Sequence, residues 1–114
     1  GIIESLIESL DCNGVDLIVH LGPAISQLSF EVGSEVKSQY LSKNKNFENC
    51  FTYLNNKYYL DLYEAARVVL KSFGVNSISG GDRCTYKESD QYFSYRRDGK
   101  CSGRMAHLIW MEKP

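Results

Sequence analysis

Short runs of β-forming residues alternate along this chain with helical patterns, and that alternation limits its fold more than any other feature. Ile2 to Leu10 has its apolar residues on one helical stripe, and Val15 to Leu21 follows as a nearly continuous apolar run. Such a run is typical of a strand that is covered on both faces. The sequence therefore predicts a mixed α/β (α+β) fold of layered β-sheets flanked by helices.

A second helix and a second β region are predicted in the middle of the chain. Residues 29–43 carry apolar side chains at successive i+4 positions, which predicts a helix over this range. Residues 51–60 contain many β-forming residues, interrupted by Asn55-Asn56. This second segment is either a short hairpin or an irregular extended stretch.

The clearest helical signal begins at Asp61. Glu64 follows three positions later, which resembles a capping box at the start of a helix. An apolar stripe continues to Phe73, and Gly74 stands where the helix would end. Residues 75–78 then predict a short strand.

The last part of the chain is predicted to form a β-hairpin. Residues 92–98 and 104–112 would be its strands, and residues 99–103 its turn. Asp98 would then lie opposite Arg104. The second strand is apolar on both alternating faces, so we expect it inside a layered α/β arrangement.

Length and charge exclude several classes of protein. The chain has 114 residues, which suits one domain, and 13 Lys and Arg oppose 14 Asp and Glu, giving a formal net charge of −1. This balance argues against a dedicated nucleic-acid binder, because such proteins usually carry a basic excess. No apolar run approaches the roughly 20 residues that span a bilayer, and no secretory signal is recognisable. We therefore expect a cytoplasmic protein whose partners include neither nucleic acid nor a membrane.

The four cysteines are widely and irregularly spaced, at Cys12, Cys50, Cys84 and Cys101. Without a CxxC motif or a sign of secretion, this pattern favours free thiols in a reducing compartment. Most of them are expected to be small, buried and inert. Cys84 follows a Gly-Gly bend and would stand at a strand end, but no neighbouring residue in the sequence supplies a base to activate it.

Histidines and short motifs indicate no further site. His20 and His107 each lie inside an apolar predicted strand, where a lone histidine is usually a satisfied core residue. The sequence lacks HExxH, GxSxG, Walker-type and GxGxxG motifs. The residues alone therefore predict no metal ligand and no named catalytic group.

The densest polar group is the run 94–98 together with Arg104. In a hairpin strand, Arg96 and Arg97 point to opposite faces. Arg96, Asp98 and Arg104 would then share one face. One interpretation is an ion network at a sheet edge. The other is an anion site, because guanidinium groups bind phosphate through two parallel hydrogen bonds.

Two long strings resemble one protein family. Residues 20–36 (HLGPAISQLSFEVGSEV) and the string DRCTY…YFSYRRDGKCSGRMAHLIW within 82–110 are similar to the C-terminal half of polyphenol oxidase or laccase-domain (YfiH-like) proteins, now associated with purine nucleoside phosphorolysis. The helix that begins GIIES fits the segment that follows this family's His-Ala-Gly-Trp-Arg-Gly motif. The resemblance covers essentially all 114 residues and implies the family's mixed α/β fold.

The resemblance implies a zinc-dependent enzyme, described in older accounts as a copper-dependent oxidase of phenols. It implies phosphorolysis of adenosine, inosine, guanosine and methylthioadenosine, in which phosphate attacks the anomeric carbon of the sugar and the purine base leaves. It also implies that some members deaminate adenosine. An arginine-bearing site suits phosphorolysis, since the attacking dianion must be held beside an oxocarbenium-like sugar.

The metal ligands of that family do not carry over to this chain. The resemblance implies ligation by two histidines and one cysteine in the family's N-terminal half, and none of them matches a position here. Neither histidine nor Cys84 is therefore assigned as a ligand, and no metal is expected in this chain alone. Arg96, Arg97 and Arg104 match the family's hairpin, and we hypothesise that they bind substrate.

Two functional hypotheses follow. In the first, residues 1–114 are a single domain fragment, the C-terminal half of a purine nucleoside phosphorylase that acts on a nucleoside and phosphate. In the second, the chain is a non-catalytic remnant or interaction module. If the chain is such a half, apolar surface that the missing half would cover is left exposed, so we expect self-association unless another chain covers it.

Overall fold

The computed structural model describes residues 1–112 of the chain, which form helices and two small sheets. The helices are α1 (Ile2–Ser9), α2 (Ser34–Lys43), α3 (Leu62–Ser72) and α4 (Tyr95–Asp98). The strands are β1 (Ile18–Leu21), β2 (Glu31–Val32), β3 (Phe51–Leu54), β4 (Lys57–Leu60) and β5 (Ser77–Gly80). This mixed arrangement confirms the predicted fold class. None of these helices has the length and apolar character needed to cross a membrane.

Strands β1 and β5 pair in parallel although much of the chain lies between them. Ile18 pairs with Ser77, and Leu21 pairs with Gly80. Parallel neighbours need a crossover connection, and here α2, the second sheet and α3 all lie within it. The carboxyl ends of β1 and β5 therefore lie at the same edge of their sheet.

The second sheet is antiparallel, with its strands in the order β2, β4, β3. Strands β3 and β4 form a hairpin in which Leu54 pairs with Lys57. The two turn residues, Asn55 and Asn56, have φ angles of 51° and 63°. Asparagine tolerates this left-handed conformation, and two such residues in succession give the turn a twist that suits a hairpin. Of the two interpretations left open for residues 51–60, the hairpin is the one that forms.

Helix α3 begins and ends where the sequence predicts. The Asp61 carboxylate accepts a hydrogen bond from the Glu64 backbone N–H at 3.0 Å. Past the other end, Gly74 has a φ of +83°, and the Val75 N–H donates to the Leu70 carbonyl at 3.1 Å. A side-chain cap and a glycine stop thus satisfy backbone groups that the helix itself leaves unpaired.

Helix α3 also packs against two hydrophobic clusters. The first cluster consists of Phe47, Cys50, Leu60 and Ala65, with partly buried side chains from α2 and the antiparallel sheet around it. The second cluster consists of Ile7, Leu70 and Val75, with partly buried side chains from β1 and β5 around it. Because both clusters include side chains of α3, this helix connects the antiparallel sheet with α1 and the parallel pair.

The second helix is shorter than its pattern predicts. It begins at Ser34, after Gly33 in an extended conformation with φ −78° and ψ 164°. Residues 27–29 form a 3₁₀ turn, and residues 31–32 form β2. The prediction of a helix over residues 29–33 is therefore wrong. The backbone there pairs with β4 instead, and glycine is a poor helix former in the position where the helix would have continued.

The apolar run that contains β1 is covered on one face only. Residues 14–16 form a 3₁₀ turn, and the strand itself covers Ile18–Leu21. Ile18 is 85% exposed, whereas Val19 and Leu21 pack against the second cluster. Within residues 1–112 the prediction of a strand covered on both faces is wrong, because this two-stranded sheet has a packed layer on one side.

The predicted C-terminal hairpin does not form among the described residues. The Ser94 hydroxyl accepts a hydrogen bond from the Arg97 N–H at 3.3 Å, and this cap starts the short helix α4. Asp98 pairs with its neighbour Arg97 at 2.9 Å, not with Arg104. Residues 102–112 contain no helix or strand, and most of their apolar side chains are exposed. The expected second strand with two dry faces is therefore also wrong within this part of the chain.

Replacing Asp61 by alanine removes the side-chain cap of α3. We expect Asp61→Ala to lower the free energy of unfolding by about 1 kcal/mol, the usual cost of losing such a cap. Urea denaturation followed by circular dichroism measures the change. Asp90→Ala removes an exposed aspartate that lies outside the helices and should be near neutral. Equal losses in the two variants would contradict the capping role.

Candidate functional site

The loops that follow β1 and β5 meet beyond the carboxyl ends of these two strands. The Thr85 backbone N–H donates to the Ala24 carbonyl at 3.0 Å. The Ser26 backbone N–H donates to the Sγ of Cys84 at 3.3 Å. In open parallel sheets, ligands bind preferentially at this edge. We therefore take these two loops, with α4 beside them, as the candidate site.

Tyr63 of α3 holds the two loops together. Its side-chain hydroxyl accepts a hydrogen bond from the Ala24 N–H at 2.7 Å and donates one to the Arg83 carbonyl at 2.8 Å. The residue is only 6% exposed, and burial raises the pKa of Tyr63, which keeps the hydroxyl protonated and able to donate. Gly81 (φ +98°) passes so close that a Cβ there would lie 3.3 Å from the Tyr63 ring. Glycine thus permits the close approach of loop and ring.

The Cys84 thiol is the most perturbed group in the site. It is 7% exposed, and its Sγ accepts hydrogen bonds from the Ser26 N–H at 3.3 Å and the Lys87 N–H at 3.4 Å. The Ser29 hydroxyl lies 3.8 Å from the same sulfur. Burial alone would raise the pKa of Cys84, but hydrogen bonds from Ser26, Lys87 and Ser29 together lower it from 9.0 to about 7. A substantial fraction is therefore thiolate at neutral pH.

The Glu88 carboxylate bridges the backbone of Cys84 and the side chain of Arg83. One carboxylate oxygen accepts a hydrogen bond from the Cys84 N–H at 2.8 Å, and the other pairs with the Arg83 guanidinium at 2.9 Å. The backbone hydrogen bond, helped by Arg83, lowers the pKa of Glu88. Within residues 1–112, the hydrogen-bond partners of the sulfur are two amides and a serine hydroxyl, and none of them is a base. Neither the neighbouring sequence nor these described contacts therefore supply a base that could activate Cys84.

Arg97 uses its guanidinium to organise the loop beside α4. Nη1 donates to the carbonyls of Thr85 and Tyr86, both at 2.8 Å, and Nη2 donates to the Tyr92 carbonyl at 2.9 Å. Nε and Nη2 also bind the carboxylate of Asp98. All three nitrogens therefore have protein partners, and a carboxylate neutralises the charge.

Arg96 and Arg104 have different surroundings from Arg97. Arg96 donates to the Glu31 carbonyl at 3.0 Å, and its guanidinium lies 5.0 Å from the centre of the Phe30 ring. Arg104 lies 5.3 Å from the centre of the Tyr95 ring and donates to backbone carbonyls of its own segment. Neither forms an ion pair within the described chain. The expectation that Arg96, Asp98 and Arg104 share a strand face is wrong, because Arg96 and Asp98 lie on α4.

The two histidines are exposed, so the core assignment is wrong for both. Nδ1 of His20 lies 3.0 Å from the Ser79 hydroxyl on the paired strand, at the surface of the molecule. His107 lies in the segment without secondary structure. All four cysteines are free, as predicted, with Cys50 and Cys84 buried and the other two exposed.

No group of three or more His, Cys, Asp and Glu side chains within residues 1–112 has an arrangement that would hold a metal ion. The zinc or copper that the resemblance implies therefore does not fit the residues of this part of the chain. No chemical step is assigned to a metal here.

Sequence reasoning missed Tyr63 and the serines around Cys84. Tyr63 belongs to a helix whose pattern predicts only packing, and Ser26 and Ser29 lie about sixty positions before the thiol. The only available signal was the position of both loops after predicted β-rich runs, which would place them at one edge of a parallel sheet.

Removing the Tyr63 hydroxyl leaves the partly buried Ala24 N–H and the Arg83 carbonyl without this partner. We expect Tyr63→Phe to lower the free energy of unfolding by about 1 kcal/mol, the usual net contribution of such a hydrogen bond. Urea denaturation measures the loss, and faster amide exchange at Ala24 would locate it. Tyr53→Phe removes a hydroxyl from an exposed tyrosine and serves as the control. A similar loss in both variants would argue against the bridging role.

The lowered pKa of Cys84 makes stability depend on pH. The thiol ionises more readily folded than unfolded, so it contributes stability that is fully present above pH 9 and is lost as the pH falls through about 7. The advantage of the wild type over Cys84→Ala in urea denaturation should therefore grow between pH 7 and pH 9. Burial raises the pKa of Cys50 to about 11, so the difference from Cys50→Ala should stay flat between pH 6 and pH 8. A flat profile for Cys84→Ala would contradict the thiolate assignment.

Comparison with known proteins places the chain in a family. Residues 1–112 match the family described as multi-copper polyphenol oxidoreductase laccase. The chain is 41% identical over 111 residues to the purine nucleoside phosphorylase YfiH of Escherichia coli, covering 97% of this chain and 45% of that protein. It is 35% identical over 114 residues to a purine nucleoside phosphorylase of Pseudomonas aeruginosa, covering 98% of this chain and 47% of that protein.

A solved structure agrees with these sequence matches. The crystal structure of the Neisseria meningitidis protein NMB0706 has a TM-score of 0.80 and 38% identity, covering 87% of this chain and 41% of that one. The chain thus spans less than half the length of the relatives it matches. With matches in sequence and in fold, it belongs to the multi-copper polyphenol oxidoreductase laccase (YfiH-like) family.

Proposed function

We propose that the whole protein is a purine nucleoside phosphorylase and that residues 1–114 are its C-terminal part. The observation that carries this proposal is the 41% identity, over 97% of the chain, to a protein named as such a phosphorylase. In the proposed reaction, a phosphate oxygen attacks the anomeric carbon of the ribose, the glycosidic C–N bond breaks, and the purine leaves with the bonding electron pair. Adenosine, inosine, guanosine and methylthioadenosine are the proposed substrates, with deamination of adenosine as a side reaction.

The arginines divide into two roles in this proposal. Arg96 and Arg104 carry charges that no carboxylate neutralises within the described chain, so they are the proposed phosphate ligands. A planar guanidinium binds a phosphate dianion through charge-assisted hydrogen bonds and orients it for attack. Arg97, matched to the same family string, is the proposed positioning residue. Its bonds to the loop carbonyls set the place of α4 and thereby of Arg96.

In this proposal, the metal ligands come from other parts of the whole protein. Zinc, or copper in the older descriptions, would need ligands outside residues 1–112, since these contain no suitable cluster. We also place the protein in the cytoplasm, which the four free cysteines support, because disulfides are rare in that compartment.

The decisive experiment measures release of hypoxanthine from inosine by the full-length protein that contains these residues, with and without inorganic phosphate. The proposal expects release that depends on phosphate and yields ribose 1-phosphate. Phosphate-independent release would indicate a hydrolase. No release by a folded, metal-loaded protein would favour the non-catalytic interaction module.

Truncating Arg96 should weaken phosphate binding. We expect Arg96→Ala to raise the KM for phosphate about 10–100-fold at saturating inosine, the effect of losing a charge-assisted hydrogen bond of about 1.5–3 kcal/mol. Steady-state kinetics over a range of phosphate concentrations gives the value. Lys100→Ala, which removes an exposed cation two residues after α4, is the matched control. Unchanged KM and kcat in a folded Arg96→Ala protein would exclude the phosphate role.

A further inference from the structure

Glu88 closes the part of the chain after β5 that is here called the cradle loop (residues 84–92). Its carboxylate accepts a hydrogen bond from the Cys84 N–H at 2.8 Å, and its own N–H donates to the Cys84 carbonyl at 2.9 Å. Its carbonyl accepts a hydrogen bond from the Tyr92 N–H at 3.0 Å. A single residue therefore contacts both ends of the cradle loop.

The cradle loop directs backbone carbonyls at one guanidinium. Thr85, Tyr86 and Tyr92 supply these carbonyls, which accept hydrogen bonds from Arg97 at 2.8 or 2.9 Å. Two of the carbonyls lie inside the turn that Glu88 closes, and the third belongs to the residue that the Glu88 carbonyl binds. The placement of every one of these acceptors therefore depends on Glu88.

Glu88 makes two side-chain contacts of different strength. Its ion pair with Arg83 joins two partly exposed side chains, and such pairs contribute little to stability. Its hydrogen bond with the Cys84 amide is partly buried and has a charged acceptor, which makes such a bond roughly twice as strong as a neutral one. An amide oxygen at position 88 could replace the acceptor but not the charge. Substitution can therefore separate the two contacts.

We propose that Glu88 is a positioning residue for phosphate, which acts through Arg97 on the placement of α4 and hence of Arg96. This inference rests on the proposed function, in which Arg96 binds phosphate. Helix α4 contains both arginines, so a displaced cradle loop moves the guanidinium of one and the helix that carries the other. The Glu88 carboxylate itself would repel an anion, and it takes no part in the chemical step.

Removing the Glu88 carboxylate should weaken phosphate binding selectively. We expect Glu88→Ala in the full-length protein to raise the KM for phosphate about tenfold, a coupling typical of networks of contacts. The KM for inosine and the kcat at saturating phosphate should stay unchanged. A merely destabilised protein would instead lose active enzyme, which lowers the apparent kcat and leaves the KM for phosphate as it was.

A conservative variant and a matched control make this measurement specific. Glu88→Gln keeps an oxygen that can accept from the Cys84 N–H, so its KM for phosphate should stay within about twofold of the wild type. Asp90→Ala removes an exposed carboxylate of the same loop and should have no effect. Equal increases in Glu88→Gln and Glu88→Ala would assign the effect to the ion pair with Arg83 and overturn the proposal.

A double-mutant cycle tests the route through Arg97. If Glu88 acts by holding the carbonyls that bind this guanidinium, its removal has nothing left to disturb once Arg97 is replaced by alanine. We therefore expect the double variant of Glu88→Ala and Arg97→Ala to have the same KM for phosphate as Arg97→Ala alone. Effects that multiply in the double variant would exclude this route.

Amide exchange separates this inference from the proposed function. The Asp98 N–H donates to the Ser94 carbonyl at 2.9 Å within α4, so its exchange reports on this helix without any turnover. We expect Glu88→Ala, but not Asp90→Ala, to speed this exchange about tenfold in the folded full-length protein. Unchanged exchange would overturn the positioning role even in an active phosphorylase. Faster exchange in a folded protein without phosphorolysis would support the route from Glu88 to α4 and contradict the proposed function instead.

Discussion

The burial of α3 between two hydrophobic clusters is the constraint on which the other parts of the structure depend. Leu70 packs toward α1 and the parallel pair, while Ala65 packs toward the antiparallel sheet. Helix α3 thereby sets how the two sheets are placed relative to each other. The same helix directs Tyr63 at the loops that leave β1 and β5. The packing of both clusters and the placement of the two loops therefore depend on α3, a helix of eleven residues.

The candidate site consists of an inner part, in which side chains are hydrogen-bonded to the backbone, and an outer part with unneutralised charge. In the inner part, Tyr63, Glu88 and Arg97 have partners for their hydrogen-bonding groups and hold backbone in place. In the outer part, Arg96 and Arg104 rest on aromatic rings and have no carboxylate partner among the described residues. Preorganised cations beside a rigid frame are what an anion-binding surface requires.

Sequence reasoning predicted the parts of the fold whose local and tertiary preferences agree. Asp61 and Gly74 mark α3 through groups within a few residues of its ends. For residues 51–60 the sequence left two alternatives open, and the left-handed turn at Asn55-Asn56 belongs to the hairpin that forms. The helix predicted over residues 29–33 and the strand predicted over residues 94–98 were wrong, because each local pattern is compatible with more than one structure. Pairing with β4 makes residues 31–32 a strand, and the Ser94 cap makes residues 95–98 a helix.

The site itself was predictable only in part, because its contacts join residues far apart in sequence. The pattern identified Cys84 and the arginine run as polar features, but their partners lie elsewhere. Ser26 reaches Cys84 across 58 positions, and Arg96 reaches Glu31 across 65. The family resemblance supplied what spacing could not, namely the family to which the string at residues 82–110 belongs.

The parallel pairing of β1 with β5 also constrains the order of folding. His20 and Ser79, which face each other across it, are separated by 59 positions. Closing so large a loop is entropically expensive and slows the formation of such contacts. The β3–β4 hairpin pairs residues that are close in sequence and closes only a short loop. The edge that carries the candidate site, in contrast, cannot form before residues 77–80 have been synthesised, because β5 is one of its two strands.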